Sequence, residues 1–137
     1  MKKKQDFYLH QQDLLEHSKN PQNYGLLSSY DFISAEYNPS CGDSIIINGL
    51  IENDQIKEIH FEGSGCMLSI AMASKLTQFT KKMTVLNALA LDTSIIYQLL
   101  NVELGPNRIQ CAILAINALR NGLLSFQKKE KTTQNPF

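Results

Sequence analysis

The hydrophobic period of this chain changes once along its length, and that change restricts the architectures open to it. Between Tyr30 and Glu62 the apolar residues follow the two-residue repeat of strands. Ser44 to Ile51 is rich in β-branched side chains (Ile45, Ile46, Ile47 and Ile51), which fit a pleated, half-buried surface. Gln55 to Glu62 alternates, with Ile59 and Phe61 on one face and Glu58, His60 and Glu62 on the other. Tyr30 to Tyr37 carries a weaker form of the pattern, and Glu52-Asn53-Asp54 predicts a hairpin turn. An antiparallel sheet with one face covered accounts for the alternation.

From Cys66 onward the period is helical. Leu68, Met72, Leu76 and Phe79 fall at i, i+4, i+8 and i+11, a stripe expected to face the core. Thr84 is placed to cap a short helix to about Leu91, and Asp92 or Thr93 to cap another through Ile95, Ile96, Leu99 and Leu100. Asn101 to Asn107 reads as a loop before a last helix marked by Ile109, Ile113, Ile116 and Leu123. Ahead of the strands, Asp6 to about Ser18 suits an amphipathic helix with Phe7, Leu14 and Leu15, stopped by Pro21 and Gly25. Strands followed by helices, without repeat or linker, predict one α+β domain: a small three-stranded antiparallel sheet packed against helices. It is expected to fill residues 1–126, with a frayed polar tail over 127–137.

Composition excludes several functional classes. The 137 residues carry 13 basic and 13 acidic side chains, so the zero net charge gives no general attraction to nucleic acid or an anionic membrane. No apolar segment of signal-peptide type follows Lys2-Lys3-Lys4, and no run approaches the roughly 18 to 20 apolar residues of a membrane span. A soluble, cytoplasmic protein is expected. There is no Walker loop, no Gly-x-Gly-x-x-Gly and no Ser/His/Asp arrangement, so an independent enzyme is poorly supported.

The three cysteines, Cys41, Cys66 and Cys111, are odd in number and far apart, which argues against a disulfide framework. They are either unrelated core residues or parts of one site. Each falls at a predicted junction. Cys41 lies in the turn Asn38-Pro39-Ser40-Cys41-Gly42-Asp43, Cys66 follows Gly63-Ser64-Gly65 at the start of a helix, and Cys111 is expected in the first turn of the last helix. A thiol at a helix N-terminus meets unpaired N–H groups and the positive end of the dipole, which favour the metal-binding thiolate. Asp43, two residues after Cys41, can face the same point. Three thiolates and a carboxylate make a four-ligand shell suited to Zn²⁺ or to iron. His10, His17 and His60 stand apart from the cysteine motifs, and His60 is expected to be solvated on the polar face of its strand. Met67 and Met72 are expected to fill the core.

At these residues the chain resembles the U-type iron–sulfur cluster assembly proteins: the IscU scaffolds, the NifU N-terminal domain and the SufU sulfur acceptors. The likeness runs from about Tyr8 to Leu124. His17-Ser18-Lys19-Asn20-Pro21-Gln22-Asn23-Tyr24-Gly25 resembles the family's His-x-x-Asn-Pro-x-Asn-x-Gly. Asn38-Pro39-Ser40-Cys41-Gly42-Asp43 resembles the first-ligand motif, Gly63-Ser64-Gly65-Cys66 the second and Arg108-Ile109-Gln110-Cys111 the third. The resemblance implies a small antiparallel sheet backed by helices, with Cys41, Asp43, Cys66 and Cys111 as metal ligands at one end. It also implies a PLP-dependent cysteine desulfurase as partner, apo iron–sulfur proteins or carriers downstream, and a monomer or weak homo-oligomer.

Within the family the motifs are mixed. IscU scaffolds have a histidine before the third cysteine, where this chain has Gln110, and a Leu-Pro-Pro-Val-Lys run where it has Leu104-Gly105-Pro106-Asn107-Arg108. Both differences resemble SufU, as does Arg108, a candidate modulator placed to approach a thiolate or Asp43. The 44 residues between Cys66 and Cys111 instead resemble the uninserted IscU length. The implied function is acceptance of persulfide sulfur at a resting zinc site, on Cys41 or alternatively Cys111. The second implied role is a scaffold for a 2Fe–2S cluster, and the third reading is a purely structural zinc domain. In related scaffolds Asp-to-Ala stabilises a bound cluster, and the same is expected of Asp43→Ala.

Overall fold

The computed structural model describes residues 2–134, with side-chain environments for Leu9 and residues 11–130. The element order is α1 (Lys2–Lys19), β1 (Phe32–Tyr37), β2 (Ser44–Glu52), β3 (Gln55–Ser64), α2 (Met67–Thr80), α3 (Val85–Leu89), α4 (Ser94–Leu100) and α5 (Pro106–Gln134). The expected side chains of Phe7 and His10 lie outside the described environments.

The strands form the expected antiparallel sheet in the order β1-β2-β3. Asn53 and Asp54 both take positive φ, 53° and 60°, as the two-residue turn between β2 and β3 requires. Beyond it the register shifts at Leu50/Ile51, so that Leu50 faces Glu58 while Ile51 faces Ile56. This bulge lets Ile56 and Ile59 both point inward although they are three apart. Ile45, Ile47, Ile56, Ile59 and Phe61 are fully buried, each burial stabilising by about 1.5–3 kcal/mol. α5 packs over β1 and β2, α2 over β3, and α1 on α2.

Several expected faces turn out differently. Leu68, Met72 and Leu76 are buried, but Phe79 is 45% exposed. At that end of α2 the inward positions belong to Thr77 and Thr80, whose hydroxyls donate to the carbonyls of Ser74 and Leu76 at 2.9 and 2.8 Å and so are satisfied in the core. Met67 is also 45% exposed, so only Met72 of the pair fills the core. The tail expected to fray from residue 127 instead continues α5 to Gln134, with Lys128, Lys129 and Glu130 favouring helix, while residues 135–137 lie outside the described residues. α5 also contains Pro106–Glu130, a stretch long and apolar enough by composition to cross a membrane, contrary to expectation. Half of its most apolar 18-residue window is buried in the fold, where Ala112, Leu114, Ala115, Ala118 and Leu119 join the core.

The segment after α1 ties the first helix to the others. The Ser74 hydroxyl accepts from Gln22 N–H at 2.8 Å and shares a proton with His17 Nδ1 at 2.7 Å. Asn23, at φ 61°, donates from Nδ2 to Thr77 Oγ1 and accepts Phe61 N–H on its carbonyl at 3.0 Å. The chain then crosses the outer face of the sheet, where Leu27 exchanges two hydrogen bonds with the fully buried Asn48 side chain. His60 is half-buried with Nδ1 donating to Gly25 O at 2.9 Å, rather than solvated as its strand position suggests.

Burial holds the His17 imidazole below its ordinary value of 6.5; Lys75 adds to the depression, and Asp13 and Glu16 oppose it. The folded chain therefore takes up this proton less readily than the unfolded chain. Its contribution to stability is fully present above the ordinary histidine value and is lost as pH falls through the lower folded one. Between about pH 7.5 and about pH 5.5 the thermal midpoint of the wild type is expected to fall further than that of His17→Gln. Equal falls in calorimetry would remove His17 from that role.

Candidate metal centre

Three separate elements bring the site together. The first is the β1–β2 turn, in which Gly42 N–H donates to Asn38 O at 2.8 Å and Asn38 N–H to Asp43 O at 2.9 Å. Gly42 takes φ +78°, which lets the chain reverse between Cys41 and Asp43. Cys41 is left at the surface while Asp43 is only 3% exposed.

The second element is the start of α2. Cys66 is its N-cap in extended conformation, and its own side chain makes no cap bond. The cap comes instead from Asp43, whose Oδ1 accepts Cys66 N–H at 3.1 Å and whose Oδ2 accepts the Ser69 hydroxyl at 2.6 Å. A carboxylate at a helix N-terminus also meets the favourable end of the dipole. Burial alone raises the Asp43 pKa, but hydrogen bonds from Ser69, from the Cys66 and Cys111 thiols and from Cys66 N–H outweigh it and hold the group below its ordinary value. Gly65 makes the approach possible. A Cβ there would lie 2.2 Å from Asp43 Oδ1, and its φ of +139° is one that other residues rarely adopt.

The third element is α5. Because the helix begins at Pro106, Cys111 sits in its second turn rather than its first and is buried. The expected help from the helix N-terminus is therefore missing. Burial, together with the neighbouring Cys66, Asp43 and Cys41, pushes the Cys111 thiol up to about 12. Its Sγ lies 3.9 Å from Cys41 Sγ and 3.9 Å from Asn107 O.

The donor set fits a metal. One ligand atom from each of Cys41, Asp43 and Cys111 lies within 4.8 Å of the others. Tetrahedral Zn–S bonds of about 2.3 Å separate two sulfurs by roughly 3.8 Å, close to the 3.9 Å between Cys41 and Cys111. Cys66 stands outside this compact trio, exposed, with its Sγ 3.6 Å from Ser69 Oγ. Its thiol bears on both Asp43 and Cys111, so it borders the site.

Arg108 is not among the groups that act on Asp43. It is exposed and lines a neighbouring groove of about 390 Å³ with Leu15, Met67, Val102 and Leu104. His17 and His60 are held by Ser74 and Gly25, away from the sulfurs. Ser69, fully buried, is the site residue that sequence reasoning missed. Its position three residues after Cys66, at the third residue of a helix, is the signal that could have found it.

With this geometry in view, the comparisons with known proteins are specific. The sequence profile of the NifU-like N-terminal domain matches residues 9–133, and the chain belongs to that family. It is 34% identical over 132 residues to the zinc-dependent sulfurtransferase SufU of Bacillus subtilis, covering 84% of this chain and 89% of that protein. It is 29% identical over 116 residues to the iron-sulfur cluster assembly scaffold protein IscU 1 of Archaeoglobus fulgidus, covering 85% of this chain and 75% of that one. Among solved structures, a hypothetical protein superposes with a TM-score of 0.76 at 30% identity, over 85% of this chain and 98% of the other. The chain is thus an iron–sulfur cluster assembly protein of the SufU and IscU type, with a Cys-Asp-Cys group able to hold a metal.

Gly65→Ala is expected to force Asp43 off the start of α2 and to impose a strained φ, lowering stability by about 2 kcal/mol or more. Chemical denaturation and zinc uptake should both report the loss. A variant with wild-type stability and zinc content would show that the close approach is unnecessary.

Proposed function

We propose that the chain accepts persulfide sulfur from a PLP-dependent cysteine desulfurase at a zinc site made by Cys41, Asp43, Cys66 and Cys111, in a reducing cytoplasm that keeps all three thiols free. The observation that carries this reading is an exposed thiol paired with a buried one: Cys41 lies at the surface, 3.9 Å from Cys111 and beside Asp43. The name of the Bacillus subtilis relative supports it. Bound zinc supplies a Lewis acid that keeps its sulfur ligands deprotonated and shields them from oxidation.

Of the compact trio, Cys41 is the ligand a docked partner can reach. It stands on a turn, exposed, whereas Cys111 is fixed within a helix. The freed Cys41 thiolate attacks the outer sulfur of the desulfurase persulfide. A new S–S bond forms on Cys41 Sγ, the donor's S–S bond breaks, and the desulfurase cysteine leaves as a thiolate. Cys111 is the alternative acceptor, disfavoured by its burial and raised pKa. The completed persulfide sulfur then passes to a carrier or an apo iron–sulfur protein.

A second reading has the same residues assembling a 2Fe–2S cluster for transfer to apo-proteins. It is favoured by the 44-residue interval between Cys66 and Cys111 and by the name of the Archaeoglobus relative. Protein purified anaerobically is expected to hold zinc without acid-labile sulfide; iron with sulfide would favour the scaffold. After incubation with desulfurase and cysteine, alkylation and mass spectrometry should find one extra sulfur on Cys41, absent in Cys41→Ser. A protein with no persulfide on any cysteine would be a structural zinc domain instead. Asp43→Ala should lengthen the lifetime of a reconstituted cluster, since the hardest donor is removed and a softer shell remains; a variant that binds neither metal nor cluster would sink that tuning role.

A further inference from the structure

One buried side chain touches three of the four candidate ligands and is not itself one of them. Ser69 is the third residue of α2 and has no exposed surface. Its Oγ lies 2.6 Å from Asp43 Oδ2, 3.2 Å from the Cys111 carbonyl and 3.6 Å from Cys66 Sγ. A hydroxyl has one proton and two lone pairs, so these contacts cannot all be equal donations. The Cys111 carbonyl lies inside α5, where the helix already supplies it with an N–H partner. The Asp43 carboxylate is the shorter contact and the charged acceptor, and a charge-assisted bond of this length is the strong kind. The proton therefore belongs to Asp43, and the hydroxyl's lone pairs remain for the Cys66 thiol.

We infer that Ser69 is the positioning residue of the metal site, fixing the rotation of the Asp43 carboxylate so that it stays within reach of Cys41 and Cys111. Two donors hold the carboxylate on the α2 side: Cys66 N–H on Oδ1 and Ser69 Oγ–H on Oδ2. Both come from one turn of helix, so they move as a unit. The Cys66 N–H belongs to the backbone and resists substitution. Ser69 is the part of the clamp that a side-chain change can remove. With alanine there, Oδ2 loses its short hydrogen bond from Ser69 in a place with little exposed surface, since Asp43 is only 3% exposed. The carboxylate then turns to recover a partner and leaves the geometry it holds now. Hydrogen bonds to ligating carboxylates of this kind typically govern metal affinity by about 10–100-fold.

This inference rests on the zinc-site reading above, and the experiment separates the two. The wild type, Ser69→Ala and Ser74→Ala are loaded with Zn²⁺ against a competing chelator, and with Co²⁺ for absorption spectroscopy. Ser74 is an apt control because it lies on the same helix, is equally buried and makes its hydrogen bonds to His17 and Gln22 instead of the site. Ser69→Ala is expected to bind Zn²⁺ roughly 10–100-fold more weakly and to show altered Co²⁺ ligand-field bands. Ser74→Ala should lower the thermal midpoint yet keep wild-type affinity and bands. Ser69→Ala with unchanged affinity and bands overturns the positioning role. An equal loss in Ser74→Ala overturns it too, because the effect would then be general to the helix. Failure of the wild type itself to bind Zn²⁺ overturns the zinc-site reading, and the role of Ser69 with it.

Discussion

The carboxylate of Asp43 on the N-terminus of α2 is the contact on which the arrangement of the site depends. It joins a turn of the sheet to the first turn of a helix, with Oδ1 on Cys66 N–H and Oδ2 on Ser69. Neither partner is near it in sequence, so the contact exists only once the sheet and α2 have packed. The helix has no cap of its own from Cys66, and Asp43 is almost without exposed surface. Each end satisfies the other. A buried polar pair of this kind costs little while both members are present and a great deal when one is removed.

The same contact sets the places of two of the three cysteines. Fixing Asp43 fixes the turn that carries Cys41, and fixing the start of α2 fixes Cys66. Cys111 arrives independently, because α5 is packed across β1 and β2 by Ala112, Ala115, Ala118 and Leu119. Small residues on that face allow the helix to lie close to the sheet, and Gly122 brings it against Phe32, where a Cβ would come within 2.8 Å of the ring. The site is therefore not a loop that folds around a metal. Its positions are set by core packing, and what remains adjustable is the turn at Gly42 and the rotation of one carboxylate.

Much of this was legible in the sequence because its signals were local. The β-branched run, the Asn53-Asp54 turn and the glycines before Cys66 each act within a few residues, and the strands and the cysteine junctions followed from them. What was missed depends on distant partners. Phe79 lies on the expected stripe, yet Thr77 and Thr80 take the inward places, since their hydroxyls bond their own helix. Asn48 reads as a polar interruption of a strand and is fully buried, because the segment at Leu27 folds over it. Cys111 is a different case. Pro106 is a favoured first helical residue, and counting from it would have placed the thiol in the second turn. The electrostatic help of a helix start was expected at both Cys66 and Cys111, and only Cys66 is placed to receive it.

That difference bears on which of the candidate ligands could be released in the proposed transfer. A candidate ligand held by a helix interior moves only with the helix, and α5 is packed into the core between Cys111 and Leu123. Cys41 is tied down by two backbone hydrogen bonds across one turn, Gly42 N–H to Asn38 O and Asn38 N–H to Asp43 O. Swinging Cys41 outward breaks neither of them necessarily, since the rotation can occur at its own side chain, which already faces solvent. Releasing Cys111 would instead leave a thiol whose burial disfavours the charged form that a nucleophile needs. The lowest-cost opening of the proposed site thus frees Cys41, the exposed sulfur of the compact trio, while Asp43 and Cys111 stay in place behind it.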